Sequence, residues 1–307
     1  MYPGASTSSP RLEKRKLQFR DDTAKPAFAF GIIWACVAMS LSLLLVYMLA
    51  RLRVGGVPRG PYILLAFTTF LTAIAFALNA LPLVILVVTD YMVKVQMSAA
   101  LIFDFGRASI PAVILWLLQL RGQAFGESLS GYASPPRARF RKRIVDCVLV
   151  VSTFIILVAF HMFNFTKTLE FIQGRRNYPA YQDAQNSLRM RHVISALMVF
   201  IALYVTASVT MIKVALKRAQ TADLVVNRLV VAVVPFNLVA AFTWLLFDIW
   251  FTINNFNPEI NLAFAILDGL SHVGVIAAII STISLHPQKT ASAESSSNLV
   301  GPPSSST

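Results

Sequence analysis

Hydrophobic residues occur along this chain in seven long runs that are separated by short polar stretches. The runs cover residues 27–50, 62–89, 98–120, 147–166, 193–212, 229–253 and 260–285. Each is long enough to cross the hydrocarbon core of a bilayer, which needs about 20 apolar residues. Because lipid offers no partner for backbone N–H and C=O groups, each run must fold as a helix. The pattern predicts an all-α, polytopic membrane protein built as a bundle of seven transmembrane helices.

The composition agrees with a membrane protein and not with a soluble one. Hydrophobic residues make up 56% of the 307 residues and charged residues only 13%, whereas a soluble domain carries roughly 25% charged residues. The net charge is +13, and all Lys and Arg residues except Arg107 lie in loops and tails. We therefore expect the lipid bilayer and its anionic headgroups as partners, with no role for nucleic acid. The composition says nothing about protein partners.

The two ends of the chain differ in composition from the hydrophobic part. Residues 1–26 are charged and basic, and residues 286–307 are rich in serine and proline. Neither composition can bury a hydrophobic core, so both ends are predicted to be disordered tails. The seven-helix domain between them is predicted to cover residues 27–285.

Seven spans place the two tails on opposite faces of the membrane, called here the amino-terminal side and the carboxy-terminal side. Basic residues are densest on the carboxy-terminal side, directly before the fourth run. This basic run consists of Arg137, Arg139, Arg141, Lys142 and Arg143. The positive-inside rule gives most weight to such short juxtamembrane stretches. The sequence therefore predicts a cytoplasmic carboxy terminus and an outside amino terminus, most simply in the plasma membrane.

The basic run leads to a second prediction, and the predicted orientation has one alternative. Each of its charges adds about 1 kcal/mol of attraction to an anionic leaflet, so we expect it to bind lipid headgroups. The basic amino-terminal tail, however, fits better with an arrangement of six spans. In that alternative residues 98–120 do not cross the membrane, and both tails lie inside.

Ionisable side chains lie within several of the apolar runs, where charges are costly. They are Asp104, Arg107, His161, Asp248, Asp268 and His272. Counted from the ends of the runs at 1.5 Å per residue, all lie roughly 7–18 Å from the amino-terminal side. Such groups normally face the interior of a bundle and mark a polar site. We predict that the third, fourth, sixth and seventh helices direct them into a shared pocket open to the amino-terminal side.

Spacing along the helices adds two residues to this candidate pocket. Asn237 and Trp244 precede Asp248 by eleven and four positions, which places the three on one face of the sixth helix. On the third helix, Asp104 and Arg107 are three residues apart and can pair with each other. Arg107 can alternatively pair with Asp268 on the seventh helix.

Two prolines are expected to distort these helices, because proline lacks the N–H that an α-helix needs. Pro111 follows Arg107 by four positions and should leave the Arg107 carbonyl without its helical partner. Pro235 should bend the sixth helix in the same way.

A receptor-like or sensor-like protein is the function that the sequence favours. Polar residues become sparse between the candidate pocket and the carboxy-terminal side, which favours a closed pocket over a continuous transport pathway. Three alternatives remain: a proton- or ion-coupled transporter or channel, a scaffold for a membrane complex, and buried charges that only hold the helices together. In the last of these alternatives, the acidic and basic groups would be structural ion pairs.

Catalysis, metals and other cofactors are not expected. Only His161 and His272 are histidines within the apolar runs, whereas a zinc enzyme commonly uses three protein ligands. The chain contains neither a His-Glu-x-x-His motif nor the Gly-x-Gly-Asp motif of intramembrane aspartyl proteases. Its two cysteines, Cys36 and Cys147, cannot form a disulfide framework.

The seventh run carries a local resemblance to a known family. Residues 262–274, with the core Leu267-Asp268-Gly269, resemble the last helix of microbial rhodopsins. In that family the aspartate is part of the retinal counter-ion, and a lysine four residues later forms the Schiff base. Asp268 matches the aspartate, but His272 occupies the lysine position and an imidazole cannot form that linkage. The resemblance covers one helix and implies an opsin-related protein without a retinal lysine.

The predicted orientation can be tested on intact cells with an epitope tag at either terminus. Because the basic run should lie inside, an amino-terminal tag should be stained without permeabilisation and a carboxy-terminal tag only after it. Staining of both tags only after permeabilisation would instead support six spans.

Overall fold

The computed structural model describes residues 24–51, 59–81, 90–128, 136–172, 181–253 and 258–285. The predicted disorder of residues 1–23 and 286–307 lies outside the described residues, and residues 24–26 begin the first helix.

The described chain is helical and contains no strand. Its α-helices are α1 (Ala24–Arg51), α2 (Gly60–Ala80), α3 (Asp90–Ser128), α4 (Pro136–Ile172), α5 (Tyr181–Arg218), α6 (Leu224–Arg228), α7 (Val234–Ile253) and α8 (Pro258–Ile280). A π-helical turn, Leu229–Val233, joins α6 to α7, so the three form the sixth span, and α8 is the seventh. Within the described ranges, seven helices are long and apolar enough to cross a membrane. The predicted all-α bundle of seven transmembrane helices is confirmed.

The third span is one unbroken helix of 39 residues. At 1.5 Å per residue it is about 58 Å long, which exceeds the roughly 30 Å of a hydrocarbon core. Its apolar part, Lys94–Ala124, meets the same criteria as the other spans. The structure therefore favours seven spans over six, and α3 continues through Pro111.

Several helices extend beyond the hydrophobic runs from which they were predicted. α5 begins at Tyr181 and not at residue 193, and α4 begins at Pro136 and so contains the basic run. Conversely, α2 ends at Ala80, and residues 82–89 lie outside the described part. Hydropathy marks the section of a helix that lies in hydrocarbon, whereas backbone hydrogen bonding continues wherever the polar side chains are solvated.

Local chemistry accounts for the start and the irregularity of the sixth span. The Asp223 side chain accepts hydrogen bonds from the backbone N–H groups of Val225, at 2.7 Å, and Val226, at 3.1 Å, and thereby caps α6. The π-helical turn lies just before Pro235, and the Val234 N–H donates to the Leu229 carbonyl. The predicted distortion at Pro235 therefore takes the form of a widened turn directly before the proline.

The apolar core occupies the half of the bundle nearer the carboxy-terminal side. It is formed by the late part of α1, α3 and α5, the early part of α2 and the sixth span, and the end of α8. Its fully buried members include Leu45, Tyr62, Ile114, Leu118, Val209, Leu229, Ile276 and Ile279. The half nearer the amino-terminal side lacks such a continuous core among the described residues and contains most of the ionisable groups predicted from the sequence.

Small residues allow the helices to approach closely, as is usual in membrane bundles. Gly269 on α8 faces Trp34 on α1, and a Cβ at this glycine would lie 2.7 Å from Trp34 Cε2. An indole ring cannot move aside as the end of a flexible chain can. The α1–α8 contact therefore depends on glycine at this position.

Gly269→Ala is predicted to lower the free energy of unfolding in detergent by about 1–3 kcal/mol, because the added methyl overpacks the contact. Gly122→Ala in α3 is the matched control, since nothing lies within 4 Å of its Cβ position. The control should be neutral or stabilising, because alanine favours a helix by up to about 1 kcal/mol. Equal effects of the two substitutions would contradict a packing role for Gly269.

Candidate functional site

A cavity of about 650 Å³ lies between the helices in the half of the bundle nearer the amino-terminal side. It is called the large cavity. Its wall comes from α2, α3, α4, α5, α7 and α8, and it includes Phe103, Asp104, Arg107, Phe160, His161, Arg191, Trp244, Phe247, Phe264 and Asp268. Asn79 and Gln96, close to the amino-terminal-side ends of α2 and α3, are exposed and also line it. The cavity therefore opens toward the amino-terminal side.

Arg107 lies deepest on the α3 wall of this cavity. Its Nη2 forms an ion pair with Asp268 Oδ2 across the bundle. The guanidinium also lies over the ring of Trp244, at 3.6 Å from the centroid, and over Phe103, at 4.3 Å. Each such contact contributes up to about 2 kcal/mol when water is excluded. One side chain thus ties together α3, α7 and α8.

Asp104 and His161 form the second polar pair on the wall. His161 Nε2 lies 2.8 Å from Asp104 Oδ2, and both side chains are buried. Of the two pairings that the sequence left open for Arg107, the structure contains the one with Asp268. The neighbouring helices α4 and α8 thus supply the partners of Asp104 and Arg107.

Asp248 is buried behind the wall and accepts three hydrogen bonds. The donors are Arg191 Nε, Ser195 Oγ and, at 3.0 Å, Trp244 Nε1. Arg191 lies on the cavity wall, so it connects this carboxylate to the large cavity. The sequence prediction had missed Arg191 by placing it in a loop. The spacing of Arg191 and Ser195, four residues apart, could have indicated a shared helical face.

His272 and Asn237 do not line the large cavity. They line a smaller one of about 40 Å³, the small cavity, which lies beneath Arg107. His272 stacks on Phe103 and its Nε2 lies 3.4 Å from Thr72 Oγ1. Asn237 Nδ2 is buried and has no hydrogen-bond partner among the described residues. A space of this size lined by such a donor suits a water molecule.

Arg107 and Trp244 line both cavities. Their stacked side chains therefore form a partition between the two spaces. The predicted shared pocket divides accordingly: Asp104, Arg107, His161, Trp244 and Asp268 surround the large cavity, Asp248 is attached behind it, and Asn237 and His272 lie below the partition. Among the described residues no group of three or more His, Cys, Asp or Glu is placed to hold a metal ion.

A second polar cluster lies near the carboxy-terminal side and was also missed. Asp146 is 2% exposed and accepts hydrogen bonds from Tyr204 Oη at 2.6 Å and Gln119 Nε2 at 2.9 Å. Lys142 Nζ lies 3.8 Å from the same carboxylate. The hydrophobic pattern places Asp146 in the loop directly before the fourth run, whereas the structure includes it in α4. The cluster joins α3, α4 and α5.

The basic run forms the first turns of α4. Arg141 and Arg143 are exposed, and Lys142 is directed toward Asp146. The helix contains Arg137 and Arg139, but their side chains lie outside the described part of the structure. Among the members of the run whose side chains are described, Arg141 and Arg143 are the exposed ones.

Compared with protein-family models, curated proteins and solved structures, the chain has no significant match in any of the three. The resemblance of the seventh helix to microbial rhodopsins thus stays an interpretation of that segment. The structure places Asp268 on the cavity wall and His272 below the partition.

The ion pair of Arg107 with Asp268 can be measured by a double-mutant cycle. Arg107→Gln should lower the free energy of unfolding in detergent by about 3–5 kcal/mol, because it leaves a buried carboxylate without its partner charge. Adding Asp268→Asn should recover a large part of that loss. Strictly additive effects of the two substitutions would show that the pair is not coupled.

Proposed function

We propose that this multi-pass membrane protein is a receptor-like or sensor-like protein that binds a small molecule in the large cavity. The cavity volume, about 650 Å³, supports this proposal because small-molecule sites commonly measure about 300–1,000 Å³. The lining supports it as well: aromatic side chains dominate, and a few charged groups converge between them, as in sites that orient an amphipathic ligand.

The closed lower end of the cavity is the observation that carries the proposal. Among the described residues, the small cavity and then the apolar core around Ile114 and Ile276 lie beneath Arg107 and Trp244. The polar cluster of Asp146 is separated from the cavity by that core. A pocket that ends in packed hydrocarbon can bind a molecule and transmit its presence, whereas a conduit needs polar groups along its whole length.

The same proposal includes a non-enzymatic role and an orientation with the amino terminus outside and the carboxy terminus in the cytoplasm. With the amino terminus outside, the cavity faces the exterior of the cell, and the plasma membrane gives it access to external molecules. The exposed Arg141 and Arg143 then lie on the cytoplasmic face, where anionic lipids attract them.

Proton- or ion-coupled transport is the second candidate, and one feature favours it. The two cavities share the Arg107–Trp244 partition, so movement of these two side chains would join them. Flux across reconstituted vesicles that is lost with Asp248→Asn would favour transport over a receptor-like role.

Filling the cavity should abolish ligand binding. We expect purified protein to be stabilised against heat by some members of a library of small polar aromatic molecules, through mass action. Ala265→Trp, on the cavity wall, should remove this stabilisation. Ala263→Trp is the matched control, since Ala263 is exposed on the same helix and does not line the cavity.

Three results bear on this proposal. Stabilisation that survives Ala263→Trp but not Ala265→Trp supports binding in the large cavity. Stabilisation that survives both places the ligand elsewhere, and an absence of any stabilising molecule contradicts the proposed role.

A further inference from the structure

The charges around the large cavity do not balance. Among the described residues, the wall carries the carboxylates of Asp104 and Asp268 and the guanidinium groups of Arg107 and Arg191. Asp248, which is bonded to Arg191, adds a third carboxylate. These described groups comprise three carboxylates and two guanidinium groups, so the carboxylates are in excess by one. A buried charge of this kind is costly unless a positive charge accompanies it.

One carboxylate oxygen in this group has an unused hydrogen-bonding site. Asp268 Oδ2 is paired with Arg107, but Asp268 Oδ1 is buried and has no hydrogen-bond partner among the described residues. Buried polar atoms are almost always paired, so this oxygen calls for a donor that the described residues do not supply. Asp248 differs, because Arg191, Ser195 and Trp244 already donate to it.

The aromatic residues of the wall suit a cationic partner with an apolar body. Phe247 and Phe264 lie edge to face with their ring centroids 5.1 Å apart, and Phe160 lines the α4 wall of the same cavity. The face of an aromatic ring attracts a cation, and the rings also bury hydrocarbon. An anion would instead add to the existing excess of negative charge.

We propose that the ligand of the large cavity is a small organic amine that carries one positive charge. Its ammonium group donates to Asp268 Oδ1, and its apolar body packs against Phe160, Phe247 and Phe264. This inference rests on the proposed function, and it names the class of molecule that the cavity takes.

The test uses three probes with the same phenyl body and different charge: 2-phenylethylamine, 2-phenylethanol and phenylacetate. Binding to the purified full-length protein is measured by ligand-observed NMR at pH 7.5. The amine should bind at least tenfold more tightly than the other two probes. Equal or tighter binding of phenylacetate or the alcohol, or no binding of the amine, overturns the inference.

One substitution locates the effect. Asp268→Asn should weaken binding of the amine about tenfold and leave 2-phenylethanol unchanged, because only the charge is removed. If Asp268→Asn does not fold, the three probes on the wild-type protein still decide.

Failure here is distinguishable from failure of the proposed function. One outcome is that the amine fails to bind while other molecules still stabilise the wild-type protein and not the Ala265→Trp variant. In that case the cavity is a ligand site for another class of molecule.

Discussion

A guanidinium group cannot lie in the hydrocarbon part of a bundle unless its charge and its flat surfaces are both covered. Arg107 meets this constraint with Asp268 across the bundle and with the rings of Trp244 and Phe103. These contacts hold three helices at a fixed separation. They also leave the space on the amino-terminal side of Arg107 open and close the bundle on its carboxy-terminal side. The position of the large cavity and its closed end both follow from this one side chain.

Much of the architecture could be predicted from the sequence, because the requirement to satisfy backbone groups in lipid leaves few alternatives. The number of spans, their helical nature and the depth of Asp104, Arg107 and Asp268 follow from hydropathy and from counting residues along each run. The choice of partners could not be predicted. Asp104 could reach either a residue on its own helix or one on α4, and only the packing of the helices decides between them.

Residues near the ends of the runs were the main omission. Arg191 and Asp146 were placed in loops because the helices were ended where hydrophobicity declines, yet α5 and α4 continue past those points. Arg191 lies outside the hydrophobic run and yet reaches the buried carboxylate of Asp248. The partners of Asp248 and the cluster around Asp146 therefore cannot be predicted as long as each helix is taken to be only as long as its hydrophobic run.

The closed end of the large cavity has an electrical consequence. Water in an open cavity carries the potential of the adjoining solution inward, so a transmembrane voltage falls mainly across the apolar core around Ile114 and Ile276. Moving one elementary charge through the full voltage changes its energy by about 2.3 kcal/mol per 100 mV. A charged molecule that stops above Arg107 does not cross that region. Occupancy of the cavity would consequently be almost independent of membrane potential.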